Sequence, residues 1–223
     1  MPDKVLVFKE NGTVVLEDRL VPLENAVAEL GARVEKLESE GGGETEELVV
    51  EQQYDPGTYD KGANNIFCGG TPVQDIRKAM NFTPSVDHEI VAVDVRVAHG
   101  GNAHITMDCD LIVEVRNTDS SGAPGPNLLG SATISKDIIP KSWADGLAFC
   151  RAKFYVPVKV LAGAQYAIVC RADGGDGNNT HYIWNYSGSG TYDGRMWTTD
   201  YKGKWVRFPA GWNYYFKEFM QSA

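Results

Sequence analysis

At 223 residues the chain is long enough to bury a real core and to hold one large domain or two modest ones. Hydrophobic residues at 43% and charged residues at 23% are ordinary for a globular protein, and 24 glycines point to a turn-rich, mainly β body. A net charge of −9 argues against a phosphate-tracking groove for nucleic acid, and no apolar run reaches the roughly 18 residues that membrane insertion needs.

The opening Met1-Pro2-Asp3-Lys4 does not read as a signal peptide, so the expectation is synthesis in a cytosol. Residues 4–10 and 13–17 flank Asn11-Gly12, the strongest short hairpin signal, because both central residues of a type I′ turn need positive φ. A hairpin that small is not stable alone. Residues 1–19 therefore read as an anchor, with Val5, Val7 and Val14 as its apolar contacts around the Asn11-Gly12 turn. It would either cap its own oligomer or dock on something larger.

Residues 20–40 follow as a helix. Leu16, Leu20, Leu23, Val27, Leu30, Val34 and Leu37 are spaced alternately by four and three, with Leu20, Val27 and Val34 at a and the four leucines 16, 23, 30 and 37 at d. So narrow a seam suits another copy of the same helix better than a globular core. Gly41-Gly42-Gly43 stops the helix, and about twenty residues are marginal alone in water. Valine at a with leucine at d leans toward two strands. Against that, Arg33 at g and Glu38 at e match the Arg-h-x-x-h-Glu pattern of trimeric coiled coils, in the register already read from the seam. The trimer is the preferred reading, over a dimer or a single amphipathic helix on its own domain.

Residues 41–80 read as an acidic glycine linker and an irregular transition, contributing one strand near Leu48-Val49-Val50 and a single helical turn over 75–80. From 81 to 223 the period changes to two. Strands are expected at 90–98, 105–117, 131–135, 147–156, 165–171, 181–186, 196–199, 205–208 and 214–219, separated by turn clusters at 118–126, 173–179 and 187–194. Alternation of this kind buries one face of an antiparallel sheet, so the fold class is mainly β: a hairpin and short coiled coil followed by a jelly-roll-like sandwich.

Of the four cysteines, Cys109, Cys150 and Cys170 share strand parity with apolar neighbours and read as reduced core residues; Cys68 completes the set. His88, His99, His104 and His181 are scattered without HExxH or GxSxG context, so no catalytic residue is assigned and the chain reads as non-enzymatic. Asp108 and Asp110 share an outer strand face and read as solvated. Asp173, Asp176 and Asn178 make an oxygen-rich loop that fits a solvated turn better than calcium, since it lacks the full spacing of an EF-hand. No other cofactor is indicated. Aromatic residues crowd the C-terminal part. Trp184 reads as core, whereas Tyr192, Trp197, Trp205 and Trp212 sit beside turns and are candidates for stacking on sugar rings or for packing between subunits.

The stretches Leu111-Ile112-Val113-Glu114-Val115-Arg116, 119–126, Leu128-Leu129-Gly130-Ser131-Ala132, 160–169, Tyr182-Ile183-Trp184 and Phe216-Lys217-Glu218-Phe219, in that order, carry a resemblance. The C-terminal part is similar to a family of jelly-roll domains found in phage fibres and bacterial surface proteins. With the hairpin and heptad in front, the whole resembles a phage virion fibre or spike subunit. The resemblance implies a homotrimer on the virion surface, held by its N-terminus to capsid or tail proteins, whose heads meet host-surface glycan weakly and multivalently. The alternatives are a capsid decoration or head-fibre protein with no specific ligand, and a bacterial carbohydrate-binding module.

Overall fold

The computed structural model describes residues 48–55, 62–67, 76–100, 109–142, 146–173, 181–188, 192–200 and 202–221, with backbone alone for 4–8, 14–18, 62–65 and 67. The Asn11-Gly12 turn, the heptad from Leu20 to Glu38, Cys68, His104, Asp108, Asp176 and Asn178 lie outside the described residues. The chain divides into two compact units, Met1–Glu46 and Glu47–Ala223.

In the first unit, β1 (Lys4–Phe8) pairs antiparallel with β2 (Val14–Asp18), with Leu6 opposite Leu16. Leu16, counted at the head of the heptad seam, therefore lies in a strand, where a second β-rich run supplies its backbone partners.

The second unit holds β3 (Leu48–Tyr54), β4 (Gly62–Phe67), β5 (Lys78–Phe82), β6 (His88–Gly100), β7 (Leu111–Thr118), β8 (Pro124–Ile134), β9 (Ala148–Val160) and β10 (Tyr166–Ala172). It continues with β11 (His181–Ser187), β12 (Met196–Thr199), β13 (Trp205–Arg207), β14 (Asn213–Tyr214) and β15 (Phe216–Gln221). All pairings are antiparallel, and no helix occurs among the described residues. One sheet runs β13-β12-β5-β10-β7-β8; the other runs β14-β11-β6-β15-β3, with β4 on β11 and β9 on β6.

The result is a β-sandwich-like body whose core follows from strand parity. Leu111, Val113 and Val115 of β7 join Met80, Phe82, Ile168 and Cys170 on one inner face, against Val93, Val95, Val97, Ala152, Trp184 and Phe216 from the other sheet. The outer face of the six-stranded sheet is not simply wet. Ala79, Ala123, Ala167, Val169 and Trp197 form a second small cluster there.

Four features differ from the sequence expectations. The strand expected near Leu48-Val49-Val50 is β3, but β4 and most of β5 also fall in the segment read as irregular transition, and all three belong to the sheets. The helical turn expected over 75–80 gives way to β5, because backbone partners on both sides, β10 and β12, outweigh the helix-forming character of Lys78, Ala79 and Met80. Strand β8 begins at Pro124 inside the expected turn cluster, and its prolines are tolerated because it is an edge strand. Strand β7 begins at Leu111, so Asp110 precedes it; its carboxylate accepts from the Lys136 amide at 2.9 Å.

Candidate functional site

A cleft of about 250 Å³ opens beside β3 and the end of β5, lined by Gln52, Phe82, Thr83, Gln165, Tyr192, Asp193 and Gly194. The Gln52 amide spans it. Its nitrogen donates to the Thr83 carbonyl, and its oxygen accepts from the Tyr192 hydroxyl at 2.8 Å. The Tyr192 ring is fixed edge-on to Phe216, with centroids 5.6 Å apart, and tilted against Tyr54. Burial, and then the negative charge of Glu51, Glu218 and Asp193, pushes the Tyr192 hydroxyl well above its usual pKa, so it stays a donor.

Gln165 accepts from Asn81 Nδ2 at 3.2 Å, and the same amide donates to the Gly122 carbonyl at 2.6 Å. Gly194 fits its place because a β-carbon there would lie 2.5 Å from the Asn81 carbonyl oxygen. The lining therefore presents two amides, two hydroxyls, a carboxylate and two aromatic rings, without a lysine or arginine. Such groups can exchange hydrogen bonds with hydroxyls, and they offer no positive charge to a phosphate.

Next to the cleft lies a buried ionisable cluster. Glu218 on β15 pairs in register with Gln52 on β3, and its side chain is fully buried. His88 Nε2 stands 2.8 Å from Glu218 Oε1, and His88 Nδ1 stands 3.0 Å from the Val86 carbonyl. Glu51 Oε1 accepts from the Ser85 amide at 3.0 Å and hydroxyl at 2.6 Å. The second oxygens, Glu51 Oε2 and Glu218 Oε2, are buried without a hydrogen-bond partner. Burial raises the Glu218 carboxyl to about 7, with His88 opposing the rise and Glu51 adding to it. Burial alone would lower His88, but the Val86 carbonyl and Glu218 together carry it above its ordinary value.

The residues singled out from sequence do not form one patch. Tyr192 lines the cleft. Trp197 is only 5% exposed and packs in the outer-face cluster, with half-buried Trp205 against it. Half-buried Trp212 stacks with Tyr186 at 4.9 Å and with Phe208 at 5.9 Å. Trp184 is fully buried, as expected, and stacks on Tyr214 at 4.3 Å. Asp173 is exposed and its carboxylate is paired with Arg171. Cys150 and Cys170 are buried free thiols, and Cys109 is a half-buried one.

Glu51, Gln52, His88, Gln165, Asp193 and Glu218 were not singled out. Glu218 left the only trace in the sequence, a faint one, as one of two adjacent charges between Phe216 and Phe219. The others are brought together by pairing between distant strands and by register shifts at Glu51 and Val91.

No protein-family model matches the chain, and neither does any curated protein.

Proposed function

We propose that the chain is a non-enzymatic, homotrimeric subunit of a phage fibre or spike. Residues 1–19 attach it to capsid or tail proteins, residues 20–40 form a short coiled-coil stalk, and the sandwich, of jelly-roll type, is displayed at the virion surface. The observation that carries this reading is the division at Glu46/Glu47. The heptad seam from Leu20 to Leu37, two positions wide per heptad, has the width of a self-associating helix.

The ligand class is host-surface glycan, bound in the cleft of Gln52, Thr83, Gln165, Tyr192 and Asp193. Amide and carboxylate groups match the paired donors and acceptors of sugar hydroxyls, and the tyrosine ring adds an apolar face. Affinity per head is modest. Three heads on one stalk turn later contacts into intramolecular ones, which raises avidity by about 100-fold or more without any new contact.

Glycan-array binding tests this directly, with the full chain compared with Gln165→Ala and Asp193→Ala variants. Binding that weakens in both variants, and that collapses when the trimer is broken, supports the reading. An array silent for a well-folded trimer that particles still need for integrity leaves a structural role only.

A further inference from the structure

We propose that Glu51, His88 and Glu218 form a binding site for one divalent transition-metal ion of the zinc class. One donor atom from each lies within 4.8 Å of the others, so the three already converge on a common point. The donors come from three strands: Glu51 from β3, His88 from the first position of β6, and Glu218 from β15 between them. An ion there would pin both neighbours of β15 at the end where the register shifts occur.

The case rests on what the cluster lacks. The Glu218 side chain is fully buried, yet its Oε2 has no hydrogen-bond partner, and Glu51 Oε2 is buried in the same condition. Two buried carboxylate oxygens without donors, close to a third acceptor on His88, are met either by a proton shared between the carboxyls or by a cation. A protonated His88 answers for Glu218 Oε1 alone, at 2.8 Å, and leaves both second oxygens unmatched. A dication balances both carboxylates together.

The surroundings are those of a ligand set. His88 Nδ1 faces the Val86 carbonyl at 3.0 Å. An N–H at that position puts the lone pair on Nε2, toward the carboxylates, which is how metal-binding imidazoles are oriented. Ser85 holds Glu51 Oε1 with its amide and hydroxyl, so that the other oxygen is the one presented inward. The nearby Tyr192 hydroxyl remains a neutral donor to Gln52 and does not compete.

Donor type selects the ion. Imidazole with two carboxylates suits zinc or its neighbours, whereas calcium and magnesium prefer all-oxygen shells. Tetrahedral ligands at zinc lie about 3.3 Å apart, so small side-chain rotations bring the present separations to binding geometry. Water completes the shell.

The test uses the purified full chain, stripped with chelator and then titrated with Zn2+. The expected result is one tightly bound Zn2+ per chain by mass spectrometry and calorimetry. Unfolding should move up by about 5–10 °C at a hundredfold excess over Kd, and return on adding EDTA. Substituted Co2+ should show the visible absorption of a site with a nitrogen donor. His88→Gln and Glu218→Gln should each weaken Zn2+ binding at least 100-fold; Glu51→Gln, at a half-buried edge-strand position, repeats the test if Glu218→Gln does not fold. Ser85→Ala should weaken binding by about tenfold, by freeing Glu51. No saturable Zn2+ binding to the wild type overturns the proposal. So does Zn2+ binding of unchanged affinity in folded His88→Gln and Glu51→Gln, which would place the metal elsewhere on the surface.

Discussion

Lys78 stands at the head of β5 with 7% of its surface exposed, and its ammonium donates to Thr198 Oγ1 at 2.7 Å. Burial lowers its pKa from 10.5 to about 8. The unfolded chain therefore holds this proton more readily than the folded one, and stability rises with pH between those two values. Below pH 8 the full cost of burying the charge is present, about 3 kcal/mol. Lys78→Met should raise stability near neutrality by about 2 kcal/mol once the lost hydrogen bond is counted. It should also abolish the gain in denaturant midpoint between pH 8 and 10.5 seen in the wild type.

Glu114 has the opposite sign. Burial pushes its carboxyl up, but hydrogen bonds from Arg116 and Arg171, each at 2.6 Å, outweigh that and hold it below its ordinary value. Its stabilising contribution is present above about pH 4.5 and is lost as pH falls through the lower folded value. Glu114→Gln should cost about 2 kcal/mol at pH 7 and flatten the acid limb of the stability curve, measured by urea unfolding at stepped pH.

At the scale of elements, one very close contact lies where β8 and β9, at the margins of different sheets, meet. A β-carbon on Gly130 of β8 would come within 2.3 Å of Val158 Cγ2 and 3.3 Å of the Phe154 ring, both on β9. Gly130→Val should therefore destabilise by about 2 kcal/mol or more, read from the thermal midpoint. Two residues away on the same β9 the outcome reverses. The register with β6 jumps between Ile90 and Ala92, and the extra β9 residues carry Tyr155 to 100% and Val156 to 70% exposure. Tyr155→Thr and Val156→Lys should each stay within about 0.5 kcal/mol of wild type. Strand alternation alone placed Val156 inward with Cys150, Ala152 and Phe154. The bulge, invisible in a single strand's sequence, turns it out.

For the whole molecule, the decisive measurement is mass in solution. A trimer of 24.4 kDa chains scatters as a particle of about 73 kDa. Leu23→Asp with Leu30→Asp puts charge into two d positions and should yield monomers whose sandwich melts close to the parent, with apparent glycan affinity lower by about 100-fold. A parent chain that is itself monomeric would sink the stalk and with it the avidity mechanism.

What the sequence determined by itself is the part governed by short-range physics. Period-two alternation marked most of β6 to β15 and made the molecule mainly β. The thiols of Cys150 and Cys170 were legible as core from strand parity, and Trp184 from the need of a sandwich for large core residues. The heptad and the Arg33/Glu38 register are read from local periodicity too, but they lie outside the described residues. Only the tertiary structure decided the rest. Strand β5 exists because two distant strands hydrogen-bond it, against its own helical preference. Glu51, His88 and Glu218 converge because sheet order puts β15 between β3 and β6. Separation along the chain carries no information about which strands become neighbours. A site assembled across a sheet can therefore be seen only after the sheet has formed.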